Sequence, residues 1–142
     1  MTRLILDANI LLAALAGRSS APPSLLLAGV HNGDIESVAC PLLIEEIRES
    51  LGKPYFRARL SELEAGEALD AYVELCVMLA DPENVEPLLR DPEDDYLVAL
   101  ARTAEATAIV TGDKDLLDHP DLEPPAIEAS AACELMRLTR PS

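Results

Sequence analysis

Leu4-Ile5-Leu6-Asp7-Ala8-Asn9-Ile10-Leu11 is an apolar run interrupted by one carboxylate and one amide. No other stretch limits the fold as strongly. Residues 3–7 have the continuous apolar character of a strand buried on both faces, which belongs in a parallel sheet covered by helices. An aspartate in such a segment is costly to bury unless it is paired, hydrogen-bonded or bound to a metal. Asp7 therefore needs partners from elsewhere in the chain. Other acids gathered round a cation are the natural candidates.

The remaining chain alternates between helix and strand patterns. Residues 9–16 read as a short helix closed by Gly17, and Pro22 and Pro23 open another that ends at Asn32-Gly33-Asp34. Residues 35–39 read as a second strand. Residues 42–51 follow as a helix with Leu43, Ile44, Ile47 and Leu51 on one face, and residues 55–60 as a loop or helical turn. Ser61-Glu62-Leu63-Glu64 is a capping-box pattern that starts a helix running to about residue 79. Residues 85–88 suggest a short strand, which Pro87 confines to a sheet edge. An acidic turn, Arg90-Asp91-Pro92-Glu93-Asp94-Asp95, leads into a helix over residues 96–105. Residues 107–111 form a clear strand, Gly112-Asp113-Lys114-Asp115 a turn, and a weak last strand near Ile127 precedes a helix over residues 129–138. The expectation is a single α/β domain over residues 1–142, with a central, mostly parallel sheet of four to five strands covered by helices on both faces.

Charge narrows the function. Asp and Glu number 26 against 11 Lys and Arg, a net charge of -15. Such a chain repels nucleic acid and anionic membranes. Any nucleic-acid function must therefore be local, built on metal and a few basic residues. Arg48, Lys53, Arg57 and Arg59 fall in one short stretch, either a solvated face or a set of RNA contacts. Cys40, Cys76 and Cys133 are far apart and fit no metal or redox spacing, so they read as small apolar residues in a reducing cytoplasm. His31 and His119 show no ligand spacing. Arg3 followed by apolar residues has the outline of a signal peptide, but Asp7 and Asn9 stand in its centre. No stretch is long and apolar enough to span a bilayer. A soluble cytoplasmic protein is expected.

The acids fall at one end of the expected sheet. Asp7 closes the first strand, Asp113 follows the strand over residues 107–111, Glu45 and Glu46 lie in the helix after the second strand, and Asp94 and Asp95 start a later helix. In open α/β sheets, sites form at the carboxyl ends of strands beside the switch in strand order. Clustered carboxylates repel one another, and a hard cation such as Mg²⁺ or Mn²⁺ relieves that repulsion. The chemistry implied is hydrolysis of a phosphate ester. Each acid has a plainer reading: Asp94 and Asp95 as helix-start acids, Glu45 and Glu46 as helix surface, Asp113 as turn chemistry, Asp7 as a structural acid.

Taken together, Leu6-Asp7-Ala8-Asn9, Glu45-Glu46-Ile47-Arg48, Asp91-Pro92-Glu93-Asp94-Asp95 and Thr111-Gly112-Asp113-Lys114-Asp115-Leu116 resemble the PIN-domain ribonucleases, and among them the VapC-like toxin branch. The resemblance covers nearly the whole chain. It implies a metal-dependent endoribonuclease in which Asp7, Glu46, Asp95 and Asp113 hold Mg²⁺ or Mn²⁺. Asn9 would support Asp7, and Thr111, Asp94 and Asp115 would be auxiliary. It also implies homodimers and a small antitoxin partner. A basic segment of that partner would enter the acidic crevice, where Arg or Lys replaces the metal's charge. Two other classes stand beside it. One is a non-catalytic acidic module, either PIN-like or receiver-like, which the charge favours. The other is a phosphatase of the haloacid dehalogenase kind, which would want a second aspartate where Asn9 stands.

Overall fold

A computed structural model describes residues 1–139. Five strands form one sheet in the order β3-β2-β1-β4-β5: β1 is Arg3–Leu6, β2 Glu36–Ala39, β3 Val77–Met78, β4 Ala108–Val110 and β5 Ala126–Ile127. Every neighbouring pair is parallel. The order has a consequence for function. From β1 the chain moves outward through β2 to β3, and β4 then returns to the other side of β1. The switch in strand order thus lies between β1 and β4, in register with Leu6 opposite Val110.

Alternation along the strands sorts the core into two faces. Ile5, Val38 and Ile109 face the larger layer, built from α1 (Ala8–Ala16), α3 (Pro41–Leu51), α5 (Glu62–Leu75) and α6 (Asp95–Thr103). Leu4, Leu6, Ala108 and Val110 face the smaller layer, where α2 (Pro22–Asn32) supplies Leu26 and Val30 and α8 (Ala129–Thr139) supplies Met136. Leu4, Ile5 and Leu6 are at most 1% exposed. Each such side chain contributes about 1.5–3 kcal/mol by leaving water. A strand with both faces apolar is satisfied only when helices cover both, as here.

Helix ends follow local chemistry. Ser61 and Glu64 close the expected capping box at α5, each side chain bonding the other's backbone N–H. Gly33 ends α2 at φ +80, a left-handed conformation that costs glycine little. Pro54–Arg57 forms a short helix, α4, and Lys114–Leu117 another, α7. Among the described residues no helix is long and apolar enough to cross a membrane.

Two sequence expectations change. The helix expected to reach residue 79 stops at Leu75, because Cys76 turns to extended backbone (φ -77, ψ 150). Val77 and Met78 then pair with Val38 and Ala39, and the Leu79 amide reaches the Ala39 carbonyl at 2.9 Å. Tertiary pairing at an open sheet edge overrides a helical pattern there. The edge strand expected at 85–88 does not form. The Leu88 and Leu89 amides go instead to the carboxylate of Asp95.

Candidate active site

Asp7 leaves β1 at the switch point. Its amide donates to the Val110 carbonyl at 3.0 Å, extending the β1–β4 ladder by one bond. The residue is 5% exposed. Its Oδ2 accepts a 2.7 Å hydrogen bond from the Thr111 hydroxyl, itself fully buried. Burial raises the Asp7 carboxyl above its ordinary range, the Thr111 bond partly offsets this, and Asp113 pushes it up further.

The end of β4 supplies the second corner. Thr111 Oγ1 also accepts from the Asp113 amide at 3.0 Å, and Asp113 Oδ1 caps α7 by accepting from the Asp115 amide at 2.9 Å. Asp115 faces the 90–91 backbone. Its Oδ2 accepts from the Arg90 and Asp91 amides, and the exposed Arg90 guanidinium lies 3.4 Å from Oδ1. Asp115 therefore anchors the acidic turn beside the site. An open cleft of about 940 Å³ runs past these residues, lined also by Asp91, Lys114, Asp118 and His119.

Glu46 comes from α3. Its neighbour Glu45 is exposed and paired with Arg48 at 2.7 Å, whereas Glu46 is half-buried and accepts from the Tyr96 hydroxyl at 3.0 Å. Burial raises the Glu46 carboxyl most, the Tyr96 bond lowers it, and the charges of Asp7, Glu93 and Glu49 raise it. Tyr96 was not singled out in the sequence. Its place directly after the acid pair and in the first turn of α6 is the signal that would have found it.

The two members of the acid pair have different surroundings. Asp95 is 3% exposed, and its Oδ1 accepts from the Leu88 and Leu89 amides at 3.1 and 2.8 Å. It closes the preceding loop onto α6. Asp94, expected as the auxiliary, sits among the other acids. Its carboxyl is raised to about 7 by burial first, then by Asp7, Asp91, Asp113 and Glu46. Asp94 thus senses the other three corners, and Asp91, quoted in the sequence motif but given no role there, adds to the field.

Asn9 is not among the hydrogen-bond partners of Asp7. It is exposed and lines a groove with Lys53, Tyr55 and Phe56, while Thr111 gives Asp7 its support. Of the four basic residues, Arg48 is held by Glu45, Arg59 lies over the Tyr55 ring at 3.6 Å, and Arg57 borders a small cavity with Glu62 and Asp70.

The donor set of Asp7, Glu46, Asp94 and Asp113 is oxygen only and mutually repulsive. That fits a hard divalent cation, which takes one or two carboxylates and completes its shell with water or substrate oxygen. Among the described residues no three acidic, histidine or cysteine side chains converge closely enough to hold an ion by themselves.

A family model described as PIN domain matches residues 3–115. The fold is similar to that of PAE2754 from Pyrobaculum aerophilum, with a TM-score of 0.66 and 18% identity over 96% of this chain and 90% of that one. It is also similar to VapBC2 from Rickettsia felis bound to a DNA fragment from their promoter: TM-score 0.61, 11% identity, 89% of this chain and 98% of that one. FitAcB from Neisseria gonorrhoeae gives a TM-score of 0.57 and 16% identity, again over 89% of this chain and 98% of that one. No curated protein matches the sequence.

Proposed function

The chain belongs to the PIN-domain family, and from that premise we propose that it is a divalent-metal-dependent endoribonuclease acting as the toxin of a toxin–antitoxin pair in the cytoplasm. One observation carries the reading: Asp7, Glu46, Asp94 and Asp113, from four separate segments, gather near the switch between β1 and β4, where burial first and the neighbouring negative charges second raise the carboxyls of Asp7, Glu46 and Asp94. Carboxylates that repel in this way, with a cleft beside them, suit a cation and the phosphate it neutralises.

Asp7, Glu46, Asp94 and Asp113 would hold Mg²⁺ or Mn²⁺, with Asp94 taking the place first expected of Asp95. When bound, the ion would lower the pKa of a water and offset negative charge on the phosphodiester. The protein's own residues set the geometry. Thr111 fixes the Asp7 carboxylate in one orientation, and Tyr96 does the same for Glu46. Asp115 keeps the 90–91 backbone against α7, so that the turn carrying Asp94 stays at the mouth of the cleft. The partner is a small antitoxin with a basic segment, whose Arg or Lys supplies the positive charge the crevice lacks. The chain pairs with itself as a homodimer.

Incubating the purified protein with a panel of structured RNAs tests this reading. Cleavage should require Mn²⁺ or Mg²⁺, stop with a chelator and fall on the order of 100-fold in Asp94→Ala. Metal-independent cleavage, or an undiminished rate in Asp94→Ala, would remove the proposed centre. The net charge of -15 favours a second reading, a non-catalytic acidic module. Calorimetry with no heat of Mn²⁺ binding at millimolar metal would support it.

A further inference from the structure

The groove that takes Asn9 has a chemistry opposite to that of the acid site. It lies between α1 and the α3–α4 turn, holds about 430 Å³, and is lined by Asn9, Ala13, Ser50, Lys53, Tyr55 and Phe56 among others. Two positions connect it to the acids. Asn9 stands two residues after Asp7. Ser50 lies one turn after Glu46 on the same face of α3. The groove therefore leads away from the carboxylates along α1 and α3.

Its charge is unusual for this chain. None of its lining residues is acidic. Acids outnumber bases 26 to 11, yet among the described residues Lys53, Arg57 and Arg59 form no ion pair, while Arg3, Arg48, Arg90, Arg102 and Arg137 each do. Lys53 lines the groove and Arg59 stands over its Tyr55, while Arg57 borders the separate cavity with Glu62 and Asp70, so two cations without an ion pair serve the groove on an acidic protein. The larger cleft is different: Asp91, Asp113, Asp115 and Asp118 there outnumber Arg90 and Lys114. The contrast favours the groove over the cleft for a polyanion.

The groove also carries a ring platform. Tyr55 is 55% exposed. The Arg59 guanidinium sits 3.6 Å from its ring centroid while Nη1 donates to the Tyr55 carbonyl at 2.8 Å. Phe56 meets the Tyr55 ring edge-on, with centroids 5.0 Å apart. The ring is thus held in place yet open to solvent. Unstacked bases bind on such aromatic and guanidinium planes, and lysines beside them take backbone phosphates.

We propose that this groove is a subsite for single-stranded RNA next to the scissile phosphate, with Lys53 on a backbone phosphate and the Tyr55–Arg59 stack under a base. The assignment rests on the nuclease reading and adds to it where the substrate runs.

Fluorescence anisotropy with a labelled uridine-rich single strand, in the full chain carrying Asp7→Asn to stop turnover, tests it. Tyr55→Ala should weaken binding about tenfold and Tyr55→Phe should restore it. Lys53→Ala should lower the slope of log affinity against log salt by about one. If the parent cleaves RNA while Tyr55→Ala and Lys53→Ala bind as tightly as their background, the subsite falls and the nuclease reading stands. If the parent neither binds nor cleaves RNA, both fall. Variants that keep RNA binding but lose dimerisation by light scattering assign the face to a protein interface and overturn the subsite.

Discussion

Thr111 ties the ends of two strands together through one hydroxyl, donating to Asp7 Oδ2 at 2.7 Å while accepting from the Asp113 amide at 3.0 Å. Two acids that repel are thereby held at fixed positions by a neutral group that is itself fully buried.

Thr111→Val keeps the shape and removes both bonds. It leaves a buried carboxylate and a backbone amide without their partner, and should destabilise the fold by about 2 kcal/mol. Thr111→Ser should recover most of that. Urea melts read the difference; a Val variant as stable as the parent would show that the hydroxyl is not what secures Asp7.

Asp94 and Asp95 should separate cleanly. Asp95→Ala strips the Leu88 and Leu89 amides of their acceptor and should cost roughly 1–3 kcal/mol of stability. Asp94→Ala should cost little stability and reduce RNA cleavage by on the order of 100-fold. Parallel melts and cleavage assays decide it, and the opposite pattern would return the metal-facing role to Asp95.

Metal-free protein should grow more stable as pH falls. The Asp94 carboxyl moves from 3.8 to about 7 on folding, led by burial. Between those values the folded chain holds a proton that the unfolded chain has released, so stability drops as pH rises towards about 7. Asp7 and Glu46, both raised, act in the same direction. Tm should be higher at about pH 5.5 than at pH 8, and Asp94→Asn should shrink the gap. An unchanged gap would take Asp94 out of the cluster.

Mn²⁺ should stabilise the parent, by about 2.7 kcal/mol at a hundred times its Kd. Asp7→Asn without metal should be neutral or stabilising, because a like charge is removed. With metal it should gain far less than the parent. A strong loss of stability in metal-free Asp7→Asn would make Asp7 a structural acid.

Gly33→Ala tests a local cost. Nothing lies within 4 Å of the added Cβ, so only the positive φ opposes it. A loss of about 1 kcal/mol in thermal unfolding is expected.

Much of the fold was readable because its elements are locally determined. β1 announces itself by unbroken apolarity, α3 by the spacing of Leu43, Ile44, Ile47 and Leu51, and α5 by its capping box. The misreadings lie where a neighbour decides. Val77 and Met78 continue a helical pattern, yet the free edge of β2 draws them into a strand. Residues 85–88 had strand-like composition, but Asp95 takes the amides at its end.

The order of acids along the chain was set by sequence alone, as was the covered parallel sheet that places Asp7 and Asp113 at strand ends. Which member of an acid pair faces the site was decided only by the tertiary structure. Adjacent residues entering a helix point about 100° apart, so Glu45 and Glu46, or Asp94 and Asp95, share composition but not surroundings. Packing of Tyr96 against α3 and the Leu88–Leu89 loop against α6 selects one of each pair for the cluster and gives the other to solvent or to backbone amides.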